Sequence, residues 1–293
     1  MKKITALTLA AVCAAITLTA AFACQAALSR GTAYATESGL AHDVNLPVLM
    51  YHNVVTNPAR AGEYSITPAT FERDMQYLLS RGYTTVSVSD VLAWLEDGAT
   101  LPRKPVLVTF DDGQCGVWHY LRPIMERLGV KVTVNIEGAY TDRDSAAEDH
   151  NPEYSNLTWT ELAELSAHPL YELGNHTYNM HSGEGYRLGC KRRPGESAEA
   201  YAAALTADVE RLQSLFESRC RVSPNVFAYP FGFISDESMP ILTQLGFKAL
   251  LTCYERTNVL NATSELPLVL HRYNRSGSVS TETYMARLLG KSG

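Results

Sequence analysis

Three short stretches carry residues that could do chemistry. Val106-Leu107-Val108-Thr109-Phe110 runs straight into Asp111, Asp112 and Gly113. His176 and His181 stand five residues apart in Asn175-His176-Thr177-Tyr178-Asn179-Met180-His181, and His52 closes the apolar run from Leu46 to Tyr51. Two imidazoles and a carboxylate can hold a zinc-like cation and leave one position open for water. Neighbouring side chains on a strand face opposite ways, so Asp111 and Asp112 share a task only if the backbone turns between them. Otherwise one carboxylate serves a metal and the other handles protons. The bland alternative is an aspartate pair capping the next helix, with the histidines satisfied by backbone carbonyls. A spacing of five is wrong for one face of a straight helix. Both histidines therefore need a turn after a strand, which Asn175 and Thr177 allow.

The elements that must position these residues alternate along the chain. Apolar, β-branched runs at 46–52, 83–88, 106–110, 130–136, 171–175, 225–229, 248–253 and 268–272 read as strands. Between them lie helical segments. Thr67-Pro68 gives an N-cap and first-turn proline ahead of Phe71, Met75, Leu78 and Leu79. Ser89 or Asp90 caps a helix through Trp94 to Gly98, and 116–128 has helical character. Thr158-Trp159-Thr160-Glu161 has capping-box spacing. A long Ala-rich helix covers 198–217, Ser235 caps another to Leu245, and the last begins at Thr281. Segments 141–156 and 182–196 read as loops. Strands alternating with helices over this length predict an α/β fold, a distorted (β/α)-barrel of about seven parallel strands, which gathers strand ends on one face.

The first residues stand apart from that fold. Met1-Lys2-Lys3 is basic, and residues 4–23 carry no charge. This pattern predicts a secretory signal or an uncleaved membrane tether over residues 1–35, followed by one domain over 36–293. The protein is then secreted or otherwise extracytoplasmic. Small residues before Cys24 and at Ala33-Tyr34-Ala35 offer cleavage contexts. Removing residues 1–35 takes away three cations and no acids, so the net charge moves from −6 to −9. Such an acidic chain lacks the footprint of a nucleic-acid binder. Cys115, Cys190, Cys220 and Cys253 remain, as two disulfides in an oxidising compartment or as four free thiols.

Thr-Phe-Asp-Asp-Gly, His-Thr-x-x-x-His and Tyr229-Pro230-Phe231-Gly232 together resemble the motifs of the polysaccharide deacetylases, carbohydrate esterase family four. Pro47-Val48-Leu49-Met50-Tyr51-His52-Asn53-Val54 and the histidine spacing look most like the branch of the poly-N-acetylglucosamine deacetylases. The resemblance covers about residues 46–275. It implies a metal-dependent N-deacetylase acting on a polysaccharide that contains N-acetylglucosamine. By position it makes Asp111 the catalytic base and Asp112, His176 and His181 the ligands of one divalent metal. Zinc is the first candidate, with cobalt, nickel or manganese as alternatives. The main-chain N–H of Phe231 becomes an oxyanion donor and His52 the general acid, with His271 on the last strand as its rival. Many family members hold the catalytic aspartate with an arginine where this chain has Ala228, so Arg272 or Arg275 must substitute, or Asp111 goes without. Tyr51 and Trp118 could stack on sugar rings, although such residues more often pack in a core. Two other readings stay open: a non-catalytic glycan-binding barrel, and a metal hydrolase for acetyl-xylan or peptides.

Overall fold

The computed structural model describes residues 43–147 and 150–290. The segment 1–35, with its signal or tether at 4–23, lies outside the described residues. Among those described, no helix is long and apolar enough to cross a membrane.

Seven parallel staves form the barrel expected from the sequence. They are β2 (Val48–Tyr51), β6 (Pro105–Phe110), β7 (Val132–Ile136), β8 (Tyr171–Asn175), β9 (Val226–Ala228), β10 (Ala249–Leu251) and a broken last stave. That last stave pairs with β10 through β12 (Leu268–Leu270) and then with β2 through β13 (Tyr273–Asn274). One run of chain thus bridges the two ends of the sheet. The distortion is local: β8 and β9 share a single paired position, Asn175 with Phe227, and β6 and β7 share two. Another strand, β5 (Thr84–Val86), joins the first half of β6. The remaining short strands pair outside the barrel, β1 (Val44–Leu46) with β11 (Asn258–Leu260) and β3 (Asn53–Val54) with β4 (Ser65–Ile66).

The strands obey a parity that fixes which side chains point inward. Val48, Leu107, Val226, Ala228, Ala249, Leu251, Leu268 and Leu270 share one apolar cluster inside the barrel. Their neighbours Leu49, Tyr51, Val106, Val108, Phe110, Val132 and Val134 belong to a cluster with the helices outside. Counting on in steps of two along the inward set reaches His52, Asp111, Asn135, His176 and Arg272 at the carboxyl ends. The barrel's interior is therefore apolar below and ionisable above.

Helices close the outside. α1 (Pro68–Ser80) starts at Thr67, whose hydroxyl accepts the Thr70 N–H, and α5 (Trp159–Ser166) has the Thr158–Glu161 capping box. α2 (Val88–Asp97) corrects the expected cap: Ser87 is the N-cap, and Asp90 completes its box from the third helical position. Val91, Leu92 and Trp94 of α2 pack with the interior cluster at the barrel floor. α3 (Arg122–Leu128) follows a π turn over Val117–Leu121. α4 (Gly138–Ser145) occupies the start of the stretch read as a loop, its N-cap supplied by Glu137. α6 (Ala198–Leu215) and α8 (Thr281–Leu288) form as expected, whereas α7 (Ser238–Gln244) has no side-chain cap. Ser235 instead accepts the Arg192 N–H, which ties the 182–196 loop down. All four described cysteines are free, so the disulfide alternative fails. They sit in separate places: Cys115 and Cys220 in the outer core, Cys190 under α6 and α7, and Cys253 beside the cleft.

Candidate active site

Where the inward strand ends emerge, a cleft of 560 Å³ is lined by His52, Asp111, Asp112, His176, His181 and Phe231. These six are the residues that the family resemblance assigned to catalysis and metal binding.

Asp111 is 2% exposed and closely held. Its Oδ1 accepts from Arg272 Nη1 and from Asn135 Nδ2, each at 2.7 Å, and its Oδ2 accepts from Arg272 Nη2 at 2.7 Å. Three of about four acceptor positions are used, leaving one on Oδ2. Burial pushes this carboxyl up, but the bidentate Arg272 guanidinium, with His176 and His52, outweighs it and holds the group well below the usual carboxylate range. Arg272 therefore occupies the role left open by Ala228. Arg275 does not reach the site: it is paired at 2.7 Å with buried Asp74, which also accepts from Tyr51 and Thr281.

Asn135 was not anticipated. Its signal was present as a lone amide among β-branched residues of a buried strand, at the inward parity. Gly174 makes room for it, since a Cβ there would stand 2.1 Å from Asn135 Oδ1.

Asp112 does turn. Its φ of 68° places it in the left-handed region, which swings its side chain into the cleft beside Asp111. Aspartate tolerates this region better than most residues. Asn156, another unanticipated residue, donates from Nδ2 to the Asp112 carbonyl and holds the turn. Thr177 has a φ of 73°, a costlier conformation for a β-branched residue. The Asn175 side chain accepts the Thr177 N–H at 2.9 Å and is itself anchored to α6 through Val209 and Gln213. This turn brings His181 back toward His176. Phe231, with φ 56°, is the third non-glycine left-handed residue at the cleft; among the described residues the only other is Arg221. Backbone strain is thus concentrated at the site.

Asp112 Oδ1 lies 3.1 Å from His181 Nε2 and 3.6 Å from His176 Nε2. Ligands about 2.0–2.1 Å from a tetrahedral zinc stand roughly 3.3 Å apart, so the spacing suits such an ion. The tautomer suits it too. His176 Nδ1 donates to the Ala228 carbonyl at 2.7 Å, which leaves the Nε2 lone pair facing Asp112. His181 is backed by the Phe231 ring, centroids 4.7 Å apart. Burial pushes Asp112 up, but the histidines around it, His176, His181 and His52, hold it well below its ordinary range. Nearby Glu137, also unanticipated, is pushed by burial up to about 7.

His52 faces Asp111 and Asp112, and its buried Nδ1 has no partner. Burial lowers its pKa, while the two aspartates pull the other way. His271 points away from the cleft, as parity with inward Arg272 requires. Its Nδ1 meets Thr252 Oγ1 at 2.8 Å, and its main chain pairs with Asn258. Tyr51 and Trp118 are core residues: Tyr51 stacks on Phe110, and Trp118 packs edge-on against Tyr171 under Arg122. The 182–196 loop is folded on itself, with Arg187 and Arg193 both paired to Glu196.

A parallel barrel that gathers two aspartates, three histidines and a buried arginine at its carboxyl end has the architecture of a hydrolase site. The chain belongs to the polysaccharide deacetylase family, whose model matches residues 98–250. That match takes in Asp111, Asp112, His176, His181 and Phe231, and leaves out His52 and Arg272 on the flanking staves. The poly-β-1,6-N-acetyl-D-glucosamine N-deacetylase of Escherichia coli is 24% identical over 247 residues, which is 78% of this chain and 37% of that protein. The Staphylococcus aureus enzyme of the same name is 22% identical over 185 residues, 63% of this chain and 60% of that one. The chain thus spans between a third and two thirds of these relatives' lengths. Among solved structures, a de-N-acetylase from Aggregatibacter actinomycetemcomitans superposes with a TM-score of 0.71 at 21% identity, covering 83% of this chain and all of that one. That likeness establishes the fold.

Proposed function

We propose that the protein is a metal-dependent N-deacetylase that removes acetyl groups from N-acetylglucosamine units of an extracytoplasmic polysaccharide. The observation that carries this reading is the Asp112–His176–His181 donor set opening onto the same cleft as Asp111 and His52. Those three residues hold one divalent cation, zinc first among the candidates. When bound, such a cation supplies Lewis acidity, polarising a carbonyl and lowering the pKa of water from about 15.7 toward about 7.

The chain's own residues handle the protons and the charge. Asp111 takes a proton from the attacking water through its remaining Oδ2 position, and Arg272 keeps it ionised and aimed. The Phe231 N–H, set by its left-handed turn, donates to the oxygen that gains charge on the acetyl carbon. His52 gives a proton to the departing nitrogen, so that acetate and a free amino sugar leave. The names of the Escherichia coli and Staphylococcus aureus relatives favour poly-N-acetylglucosamine over other N-acetylated glycans. The uncharged stretch 4–23 favours export, with or without a retained tether.

Acetate release from poly-N-acetylglucosamine, chitooligosaccharide, peptidoglycan and acetylated xylan tests the assignment. The expected result is release from the first substrate above the others. Release from xylan esters alone, or from none, would overturn it.

The roles of His52 and His271 separate by pH profile. A general acid must be protonated as the amine leaves, so activity falls as pH rises through its pKa, and removing the acid removes that alkaline limb. His52→Ala should lose the limb, keep its metal, and hurt an amide far more than an activated acetyl ester. His271→Ala should show only a modest loss. A dead His271→Ala beside an active His52→Ala would transfer the role.

A further inference from the structure

Away from the cleft, a second group of donor atoms comes together. Cys115, His119 and His150 place one ligand atom each within 4.8 Å of one another. Cys115 and His119 are four residues apart, and the His119 N–H donates to the Cys115 carbonyl at 3.0 Å, so both side chains share a helical face. His150 arrives from the segment that crosses this face. There the Cys115 N–H donates to the Ser155 carbonyl at 3.0 Å, and the Leu157 N–H to the Gly113 carbonyl at 2.7 Å. Glu161 stands beside both rings, with Oε1 2.7 Å from His119 Nε2 and Oε2 3.5 Å from His150 Nε2. The Asn156 carbonyl accepts from His150 Nε2 at 3.0 Å and holds that ring in place.

A surface His–Glu pair beside a core cysteine is the simpler description, yet it does not account for a thiol and two imidazoles whose ligand atoms converge within 4.8 Å. The Cys115 thiol donates to the Asn151 carbonyl at 3.6 Å, a weak bond that metal ligation would replace. The two imidazoles stand 5.9 Å apart between ring centroids, tilted by 54°, near enough to share one ion. A single cation among them uses the sulfur and both rings. One thiolate and two imidazoles suit a zinc-class ion rather than magnesium or calcium, which prefer oxygen. The Glu161 carboxylate completes the charge balance.

We propose that Cys115, His119 and His150 bind a second divalent cation of the zinc class, and that it pins the 150–157 segment to the turn that carries Asp112. Binding releases the Cys115 thiol proton to solvent as the sulfur–metal bond forms. Asn156 connects this site to the cleft: it belongs to the pinned segment and holds the Asp112 carbonyl, while its N–H donates to Asp144.

The test uses the full chain carrying His176→Ala and His181→Ala, which silences the cleft, stripped of metal and titrated with Co2+. We expect one equivalent to bind with a near-ultraviolet thiolate-to-cobalt band, since the cleft ligands contain no sulfur. Cys115→Ser on this background should abolish the band, whereas Cys253→Ser, beside the cleft, should leave it. His119 is exposed, so His119→Ala keeps the fold if Cys115→Ser does not, and it should weaken Co2+ binding by about tenfold or more. Failure to take up Co2+, uptake without the sulfur band, or a band that follows Cys253 would each overturn the proposal. None of these outcomes depends on the glycan substrate.

Discussion

Asp112→Asn is expected to lose its metal, whereas Asp111→Asn is expected to keep it and lose about 10²–10⁴ in kcat, the usual worth of a general base. Two adjacent carboxylates thereby give opposite results in one metal analysis. The difference follows from the turn between them. Asp111 ends its strand at the inward parity and is saturated on Oδ1 by Arg272 and Asn135. Asp112, at φ 68°, instead presents Oδ1 to His176 and His181. Metal content after gel filtration, measured beside kcat on an N-acetylated glycan, reads both effects. A metal that follows Asp111 would reverse the assignment.

Arg272→Ala should be the most destabilising single change at the site, by about 3–5 kcal/mol, because it leaves a buried carboxylate without its counter-charge. Arg272 and Asp111 are both nearly inaccessible and joined by two hydrogen bonds. The same change should also abolish activity. With the guanidinium gone, Asp111 loses the two hydrogen bonds that aim it, and burial pushes its pKa up against the remaining pull of His176 and His52. Arg272→Lys should recover part of the stability and little of the activity, since an ammonium cannot make the bidentate pair. Urea denaturation with kcat measured on the same preparations checks both. Arg272→Ala with wild-type stability and activity would mean that Asp111 needs no partner.

Much of this was legible in the sequence, for a physical reason. The strand-to-turn junctions are local, and once alternating strands and helices imply a parallel sheet, His52, Asp111 and His176 fall at strand ends on one face. The helix starts at Thr67 and Thr158 were legible because side-chain caps are local too. What escaped depends on distant packing. Asn135 announces itself only once the barrel's inside is known, and Gly174 only once Asn135 is. Arg272 and Arg275 lie three residues apart after one apolar run. The break between β12 and β13 decides which of them reaches Asp111. α4 was hidden by its composition, since Gly138-Ala-Tyr-Thr-Asp-Arg-Asp-Ser145 has a polar face and an unusual glutamate cap. The Cys115–His119–His150 cluster was invisible because His150 comes from a segment with no readable pattern.

Deacetylation is expected to depend on a metal held by Asp112, His176 and His181. Its most direct measurement is acetate release from poly-N-acetylglucosamine by wild type and by His176→Ala/His181→Ala, each stripped by chelator and then given Zn2+. Wild type should fall by about 10³-fold on stripping, the equivalent of roughly 4 kcal/mol of transition-state stabilisation, and recover fully with the metal. The double variant should stay inactive at every Zn2+ concentration. Full activity in stripped wild type, or in the double variant, would mean that deacetylation needs no metal at these residues.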